Sequence, residues 1–299
     1  MSRDPFKDIS LVHDKSLEQF KRFEVVPGTG LIMNGSMAIV GGTGTGKTSL
    51  ITKIIKLYQS KVPGLHILYF GGEVDQTFST NIKSGIILID PKDLKKFLEQ
   101  YAEIKKRLIE WINIVKVPKS KVNVLVLNDN VKKITQELKK SLKDTDDLYD
   151  YATEELGVYM ESSKIAGIQI PPLVIKKGTG LIVVSTVSIF DDLTQLGKFT
   201  SDPSGRFLRI ITANTRHFLN TSIFSMQRYT YLPSNVRKNV NTWILTKGLA
   251  TSDIKVMLTE ITLPDDITEE ELIKEIEGLQ KYEFLVVNSE EGVVRVLRT

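Results

Sequence analysis

A glycine-rich segment between a predicted strand and a predicted helix constrains this chain more than any other feature. Residues 41–48 read GGTGTGKT, which is the pattern GxxxxGK[ST]. An apolar run at residues 37–40 precedes it, and a helix-forming run at residues 50–58 follows. Glycines let backbone N–H groups close around phosphate oxygens at positive φ, and the following helix adds its N-terminal dipole. The sequence therefore predicts a phosphate loop that binds a nucleoside triphosphate.

Roles within this loop follow from the same chemistry. We expect the Lys47 ammonium to reach the β- and γ-phosphates, and the Thr48 hydroxyl to bind Mg²⁺. The residues predicted to contact the nucleotide are Gly41, Gly42, Thr43, Gly44, Thr45, Gly46, Lys47, Thr48 and Ser49.

Composition narrows the class of protein. The chain has 299 residues, a formal net charge of +4 and no cysteine, which excludes disulfides and thiolate metal sites. Its three histidines have no metal-ligand spacing. No apolar run is long enough to span a bilayer, and the first residues lack the apolar region of a signal peptide. We therefore expect a protein that works inside a cell or an assembling particle, without membrane contact.

Charge is distributed unevenly along the chain. Residues 91–143 carry fourteen Lys or Arg against six Asp or Glu, whereas residues 144–161 carry seven acids and no base. The basic block, which includes Lys105, is either the solvated face of two amphipathic helices or a surface that follows a phosphate backbone. The acidic block either packs against the basic one or forms a solvated loop. The sequence does not decide between these interpretations.

Strand and helix patterns alternate, which predicts an α/β fold with a mainly parallel central sheet flanked by helices and ligands at the carboxyl ends of the strands. Thr268 and Glu271 predict a capping box on the last helix, before a hairpin at the sheet edge. The predicted strands are residues 37–40, 66–70, 86–89, 122–127, 181–190, 221–226, 242–246, 282–287 and 293–297. The predicted helices are residues 15–23, 50–58, 91–114, 131–143, 205–218 and 268–279.

These patterns divide the chain into three parts. Residues 1–30 read as a polar N-terminal extension. Residues 31–264 form the predicted core, with an insertion at about residues 144–180. Residues 265–299 form a predicted C-terminal helix and hairpin, which favours a small element that completes the sheet.

Two neighbouring acids, Asp191 and Asp192, follow the strongest predicted buried strand. A phosphate loop needs an acid at the end of such a strand to hold the Mg²⁺ shell, and Asp191 fits that role. Asp192 is then placed to polarise the attacking water. The alternative is that the pair merely ends a strand and caps a helix. The long separation between the loop and the acids leaves room for one extra strand between them.

Three polar residues around the strand at residues 221–226 complete the set of candidates. Gln227 closes that strand, where an amide can orient water or report hydrolysis. Arg216 precedes the strand, and Arg237 lies beyond it. An arginine supplied across a subunit interface neutralises transition-state charge in phosphoryl transfer. A surface ion pair is the alternative role for each arginine.

The order of the segments GGTGTGKT, IFDD, RHFLNTSIFSMQ and YLPSNVRKN resembles the poxvirus-type DNA-packaging ATPases, a branch of the FtsK–HerA superfamily of DNA pumps. The resemblance covers roughly residues 31 to 250. It implies a P-loop NTPase of the RecA-like type that uses ATP and Mg²⁺ and assembles as a homo-oligomeric ring. It also implies that the ring drives double-stranded DNA, without base specificity, into a preformed capsid.

The resemblance carries further expectations onto matching positions. It implies that Gln227 is the polar sensor, that Arg216 is the first candidate for the trans-acting arginine and that Arg237 is the second. The implied partners are double-stranded DNA, further copies of the chain and viral capsid protein. The implied location is the host-cell interior at the site of virion assembly, with retention in the virion as a further option.

Two features depart from the superfamily pattern. The second acid is usually Glu, and Asp192 is one methylene shorter, so the attacking water must lie closer or turnover is slow. The insertion at residues 144–180 matches no part of the pattern. Which basic residues contact DNA is not indicated, and residues 91–143 are candidates by charge alone.

Other functions stay open at this point. A GTP switch or kinase is disfavoured because residues 202–205 (DPSG) do not follow a buried strand and residues 246–249 (TKGL) lack the Asp that reads guanine. A non-hydrolysing, ATP-binding capsid assembly factor is disfavoured by the complete acidic pair. Another DNA pump or a helicase of the same superfamily shares almost every catalytic feature.

Overall fold

The computed structural model describes residues 22–62, 64–70, 76–82, 86–89, 93–111, 113–114, 124–125, 156–177, 180–192, 204–261, 263, 267–288, 290 and 292–298. The helix predicted at residues 131–143, most of the predicted N-terminal extension and the acidic block up to residue 155 lie outside these residues.

Strands and helices are numbered here along the described part of the chain. The strands are β1 (Phe23–Glu24), β2 (Ile32–Met33), β3 (Ser36–Val40), β4 (His66–Phe70), β5 (Ile86–Ile89), β6 (Asn113–Ile114), β7 (Val124–Leu125), β8 (Ser163–Ile165), β9 (Ile168–Ile170), β10 (Val174–Lys177), β11 (Gly180–Val183), β12 (Thr186–Phe190), β13 (Asn220–Met226), β14 (Thr242–Thr246), β15 (Glu283–Asn288) and β16 (Val293–Arg298). The α-helices are α1 (Lys47–Lys61), α2 (Gln76–Asn81), α3 (Leu94–Trp111), α4 (Ser204–Ala213), α5 (Ser234–Arg237), α6 (Thr251–Glu260) and α7 (Glu269–Gly278).

The centre of the fold is an eight-stranded sheet in the order β16-β15-β14-β3-β13-β12-β4-β5. The strands from β14 to β5 run parallel, so their carboxyl ends meet at one edge of the sheet. Strands β15 and β16 add to β14 as an antiparallel hairpin. Strand β13 lies between β3 and β12, which confirms the extra strand predicted from the separation of the two motifs.

Helices cover both faces of this sheet, and alternate residues of the strands are therefore buried in two separate cores. Met37 and Ile39 of β3 pack with the buried side of α1, including Ile51. Ala38 and Val40 of the same strand belong to the other core, which includes residues of α3, α4, α6 and α7. Parallel strands that are covered on both faces read as continuous apolar runs, which is the pattern from which they were predicted. The predicted α/β fold class is confirmed.

Local predictions hold best where a capping or alternation signal is strong. The capping box is present, with the Glu271 backbone N–H donating to Thr268 Oγ1 at 3.2 Å and Thr268 N–H donating to the Glu271 carboxylate at 2.9 Å. These hydrogen bonds from Thr268 lower the pKa of Glu271. The predicted C-terminal hairpin is also confirmed.

Three predicted elements differ in extent. The strand predicted at residues 181–190 is two strands, β11 and β12, because the Val184 N–H turns away to donate to Leu173 O at 2.8 Å. The helix predicted at residues 205–218 ends at Ala213, since residues 214–219 form the turn that leads into β13. The strand predicted at residues 122–127 is reduced to β7 within the described residues.

The described part of the predicted insertion is folded against the core. Residues 156–177 form a 3₁₀ turn (Gly157–Tyr159), the hairpin β8–β9 and the first strand of the hairpin β10–β11. Leu156, Ile165 and Leu173 are buried in the same core as the residues of α3. The Ala166 N–H donates to the side-chain oxygen Oε1 of Gln100 at 2.8 Å, which ties the β8–β9 turn to that helix.

Candidate active site

The predicted phosphate loop connects β3 to α1 at the carboxyl edge of the sheet. Gly46 is the N-cap of α1, with φ of 94° in the left-handed region that favours glycine. Gly41 approaches β14 so closely that a Cβ there would lie 1.9 Å from Thr246 Oγ1. The Gly41 N–H donates to Met226 O at 3.0 Å, which fixes the start of the loop beside β13. The start of the loop is therefore packed closely against β13 and β14.

Lys47 begins α1 and folds its ammonium back over the loop. Its Nζ donates to Gly41 O and to Gly42 O, at 2.8 Å each. Partial burial lowers the pKa of Lys47, and the charges of Asp191 and Asp192 oppose that shift. The structure thus brings the predicted phosphate lysine and the predicted acidic pair to one place.

The acidic pair leaves β12 at the same edge. Tyr69 Oη donates to Asp191 Oδ2 at 2.7 Å, and the Asp192 N–H donates to Asp191 Oδ1 at 3.0 Å. Both oxygens of Asp191 are therefore oriented by neighbours, and its own N–H donates to Phe70 O at 3.2 Å. Asp192 has φ of 45°, an uncommon conformation for a residue with a side chain, and such conformations concentrate at functional sites.

Tyr69 is a member of this site that sequence reasoning missed. It pairs in register with Ile189 because β4 lies beside β12, and this places it next to the acids. Its ring packs on Phe78 of α2, with centroids 5.1 Å apart. In the sequence Tyr69 is one apolar residue of a predicted strand, and only the order of the strands indicates its role.

Gln227 directly follows β13 and is exposed. Because β13 lies between β3 and β12, Gln227 stands between the phosphate loop and the acids at the carboxyl edge. This is the predicted position of Gln227, and its action on water stays a prediction.

Arg216 is at the opposite edge of the sheet. It lies in the turn before β13 and is exposed, whereas the phosphate loop starts beside Met226, the last residue of that strand. Seven residues of extended chain span about 20 Å, so the structure does not bring Arg216 to the phosphate loop of its own chain. Any action of Arg216 on a nucleotide requires a second subunit.

Arg237 is engaged within its own chain. Its guanidinium donates to both carboxylate oxygens of Glu260, at 2.6 and 2.7 Å, and to Leu232 O at 2.6 Å. It also lies over the Tyr229 ring, 5.0 Å from the centroid, and its side chain is 9% exposed. Hydrogen bonds from Arg237 lower the pKa of Glu260. This arrangement anchors α5 to α6 and leaves Arg216 as the better candidate for contact between subunits.

A buried polar cluster lies at the amino edge of the sheet. Asn220 Oδ1 accepts from Thr186 Oγ1 at 2.9 Å and from Ser188 Oγ at 2.8 Å, and Asn220 Nδ2 donates to Ser222 Oγ at 3.0 Å. Close to this cluster, just before β12, the Val184 backbone oxygen accepts a hydrogen bond from Lys105 of α3 at 2.6 Å.

The structure corrects the sequence-based placement of Lys105. The residue is 1% exposed, so it belongs neither to a solvated face nor to a DNA-following surface. Burial lowers its pKa to about 7. Burial and the nearby Lys105 charge lower the pKa of His66 to about 4. Lys96 and Arg107 of the same helix are exposed, which fits both interpretations of the basic block.

Within the described residues no cluster of three or more His, Cys, Asp or Glu side chains is arranged to hold a metal ion. Mg²⁺ commonly takes one or two carboxylates together with water and substrate phosphates. A single hydroxyl and a single acid, Thr48 and Asp191, fit that mode of binding. In the same part of the chain no helix is long and apolar enough to cross a membrane.

Solved structures with a similar fold include several ATPases. The DNA-packaging ATPase from Sulfolobus turreted icosahedral virus aligns with 89% of this chain and 98% of its own, at 13% identity and a TM-score of 0.47. The genome packaging NTPase of Sulfolobus turreted icosahedral virus 2, in complex with AMPPCP, aligns with 88% and 97% at 13% identity and a TM-score of 0.44. ATPases 2 and 3 of EssC from Geobacillus thermodenitrificans align with 88% and 39% at 14% identity and a TM-score of 0.48.

No protein-family model and no curated protein matches the sequence. The solved structures are similar to this chain in fold, and the resemblance of the four ordered motifs to the poxvirus-type branch stays a prediction. What the site does follows from its own residues.

Proposed function

We propose that this protein is an ATP-hydrolysing motor that moves double-stranded DNA into a preformed viral capsid. The observation that carries the proposal is the meeting of Lys47, Asp191 and Asp192 at the carboxyl edge of the sheet. A loop that binds phosphate and a pair of acids on a neighbouring buried strand supply the groups that hydrolysis of a triphosphate requires. Neither group alone distinguishes a nucleotide-binding protein from an ATPase.

ATP binds with its phosphates in the loop and against the N-terminus of α1. The ammonium of Lys47 exchanges its carbonyl partners in the loop for phosphate oxygens, which are stronger acceptors because they are charged. When bound, Mg²⁺ neutralises charge on the phosphates and would be held by Thr48 and Asp191. Tyr69 keeps the Asp191 carboxylate aimed at that position through its hydrogen bond.

Asp192 and Gln227 act on the attacking water. The water oxygen bonds to the γ-phosphorus while the bond from that phosphorus to the β,γ-bridging oxygen breaks, and the Asp192 carboxylate accepts the proton. The products are ADP and inorganic phosphate. The left-handed backbone at Asp192 sets the direction of its short side chain, and Gln227 holds the water from the β13 side.

Arg216 completes the site of a neighbouring subunit in a ring. The support for this role is geometric. Arg216 is exposed at the edge of the sheet opposite the phosphate loop of its own chain, so it acts only in trans. The capsid and DNA parts of the proposal rest on the order of motifs shared with packaging ATPases. DNA contact without base specificity requires bonds to phosphates alone.

The test of the function is ATP turnover with and without linear double-stranded DNA. We expect DNA to stimulate turnover, and Lys47→Ala and Asp192→Asn to abolish it, with Asp192→Asn retaining ATP binding. ATP binding without turnover, in protein that has formed its oligomer, would instead support a capsid assembly factor. Preference for GTP would support a switch protein.

The trans role of Arg216 has its own test. Arg216→Ala subunits are expected to bind ATP but to turn it over at least about a hundredfold more slowly, as expected for a trans-acting arginine. Mixing them with Lys47→Ala subunits restores part of the turnover, because an intact loop then meets an intact arginine at shared interfaces. Arg209→Ala, which changes another exposed arginine, is the matched control. Full turnover of Arg216→Ala alone would rule the role out.

A further inference from the structure

Tyr282 lies directly against the phosphate loop. A Cβ built on Gly46 would be 2.6 Å from Tyr282 Cδ1 and 3.1 Å from Cε1. This contact arises because β15 runs antiparallel to β14, so the turn before β15 returns to the carboxyl edge of the sheet. The ring therefore stands beside the N-cap of α1, where the phosphates of a nucleotide bind.

The backbone of Tyr282 is held in an unfavourable conformation. Its φ is 68°, in the left-handed region that a bulky residue rarely adopts. The turn is held on both sides, since the Glu283 N–H donates to Gln280 O at 3.1 Å and the Gln280 N–H donates to the Glu283 carboxylate at 2.9 Å. The residue nevertheless remains 45% exposed. A strained residue whose ring is not buried in the core points to a role in binding.

The order of the strands indicates which part of a nucleotide meets this ring. The acids on β12 mark the side of the loop where the γ-phosphate must lie. Strands β14 and β15 are on the other side of β3. The base and the γ-phosphate are at opposite ends of a nucleotide, so the base leaves the loop toward β14 and β15. Tyr282 stands on that side.

We propose that Tyr282 is the nucleobase-binding residue of this site and stacks its ring on the base. The proposal rests on the proposed binding of a nucleoside triphosphate at the phosphate loop. The Lys281 ammonium, 5.0 Å from the centroid of the Tyr282 ring, covers part of the same surface. Stacking accepts any base because every base has a π-face. Tyr282 therefore supplies affinity for nucleotides over other phosphates and little choice between ATP and GTP.

The experiment compares two ligands, ATP and inorganic tripolyphosphate, by calorimetric titration. We expect Tyr282→Ala to raise the Kd for ATP about tenfold to a hundredfold and to leave the Kd for tripolyphosphate unchanged. Tyr282→Phe keeps the aromatic face and binds ATP as the natural chain does. Tyr282→Leu keeps apolar bulk against Gly46 without an aromatic face, so it tests a folded protein that cannot stack.

Controls separate stacking from other effects. Phe23→Ala removes an equally exposed ring from β1 and is expected to change neither Kd. Lys47→Ala is expected to weaken the binding of both ligands. If Tyr282→Ala and Tyr282→Leu weakened the binding of ATP and of tripolyphosphate equally, the ring would only shape the loop, which overturns the proposal. Unchanged ATP affinity would overturn it as well. If the natural chain bound tripolyphosphate but not ATP, the proposed base recognition would be refuted and the proposed phosphate loop would be supported. If the chain bound neither ligand, both proposals would be refuted.

Discussion

The two edges of the central sheet carry polar residues on the same strands but use them in opposite ways. At the carboxyl edge, β12 is followed by Asp191 and Asp192, which are half-buried, and β13 is followed by Gln227, which is exposed. At the amino edge, the same strands begin with Thr186 and Asn220, which are buried and hydrogen-bonded to each other.

This difference separates chemistry from stability within a single strand. Buried polar groups are stable only when hydrogen-bonded, so the amino edge has partners for Asn220 on three neighbouring side chains. Groups that act on a substrate must face an accessible site. A substitution at the carboxyl edge should therefore change binding and turnover, and a substitution at the amino edge should change the free energy of unfolding.

The largest effect is expected from Gly41→Ala at the carboxyl edge. The new Cβ would lie 1.9 Å from Thr246 Oγ1, so the loop backbone must move away from β14. We expect ATP affinity to fall at least about a hundredfold.

Gly42→Ala is the matched control for this change. Its Cβ meets only Thr45 Cγ2, at 3.9 Å, and we expect ATP affinity to stay within about tenfold of the natural chain. Similar losses of ATP affinity in both variants, measured by titration, would show that the close approach to Thr246 does not determine the conformation of the loop.

An intermediate effect is expected from Asn220→Ala at the amino edge. The change leaves the hydroxyls of Thr186, Ser188 and Ser222 without this partner, which should lower the free energy of unfolding by about 2 kcal/mol. ATP affinity should change little.

Asn239→Ala, which removes an exposed asparagine hydrogen bond, should cost less than about 0.5 kcal/mol in denaturant unfolding. A large loss of ATP affinity in Asn220→Ala with unchanged stability would contradict the separation of the two edges.

A last effect, seen only as a change in the pH dependence of stability, is expected in Lys105→Met. Burial lowers the pKa of Lys105 to about 7, from 10.5 in the unfolded chain. Between these values the unfolded chain binds the proton and the folded chain does not, so stability rises with pH. This residue alone should add about 2 kcal/mol to the free energy of unfolding between pH 7 and pH 9.

Lys105→Met should lack that rise, whereas Lys96→Met, on the exposed side of the same helix, should keep it. Denaturant unfolding at several pH values measures both. An unchanged pH dependence in Lys105→Met would show that the buried amine does not titrate in this range.

Much of the fold was predictable because its signals are short and local. The strand at residues 66–70 and the strand at residues 242–246 have the predicted bounds. The capping box and the C-terminal hairpin were also indicated by residues close together in the chain. Prediction was weaker where long-range contacts matter. The strand predicted at residues 181–190 is interrupted because the Val184 N–H donates a hydrogen bond to Leu173 O.

The sequence by itself determined the phosphate loop, the acidic pair and the extra strand between them, because glycine spacing and apolar runs act over a few residues. Tertiary structure alone decided which distant residues meet. Tyr69 orients an acid that is 122 positions away along the chain. Tyr282 reaches Gly46 only because β15 pairs with β14, and Lys105 is buried only because α3 packs over the strand ends. Strand order and helix packing set these contacts, and both depend on the free energy of the whole core rather than on any local pattern.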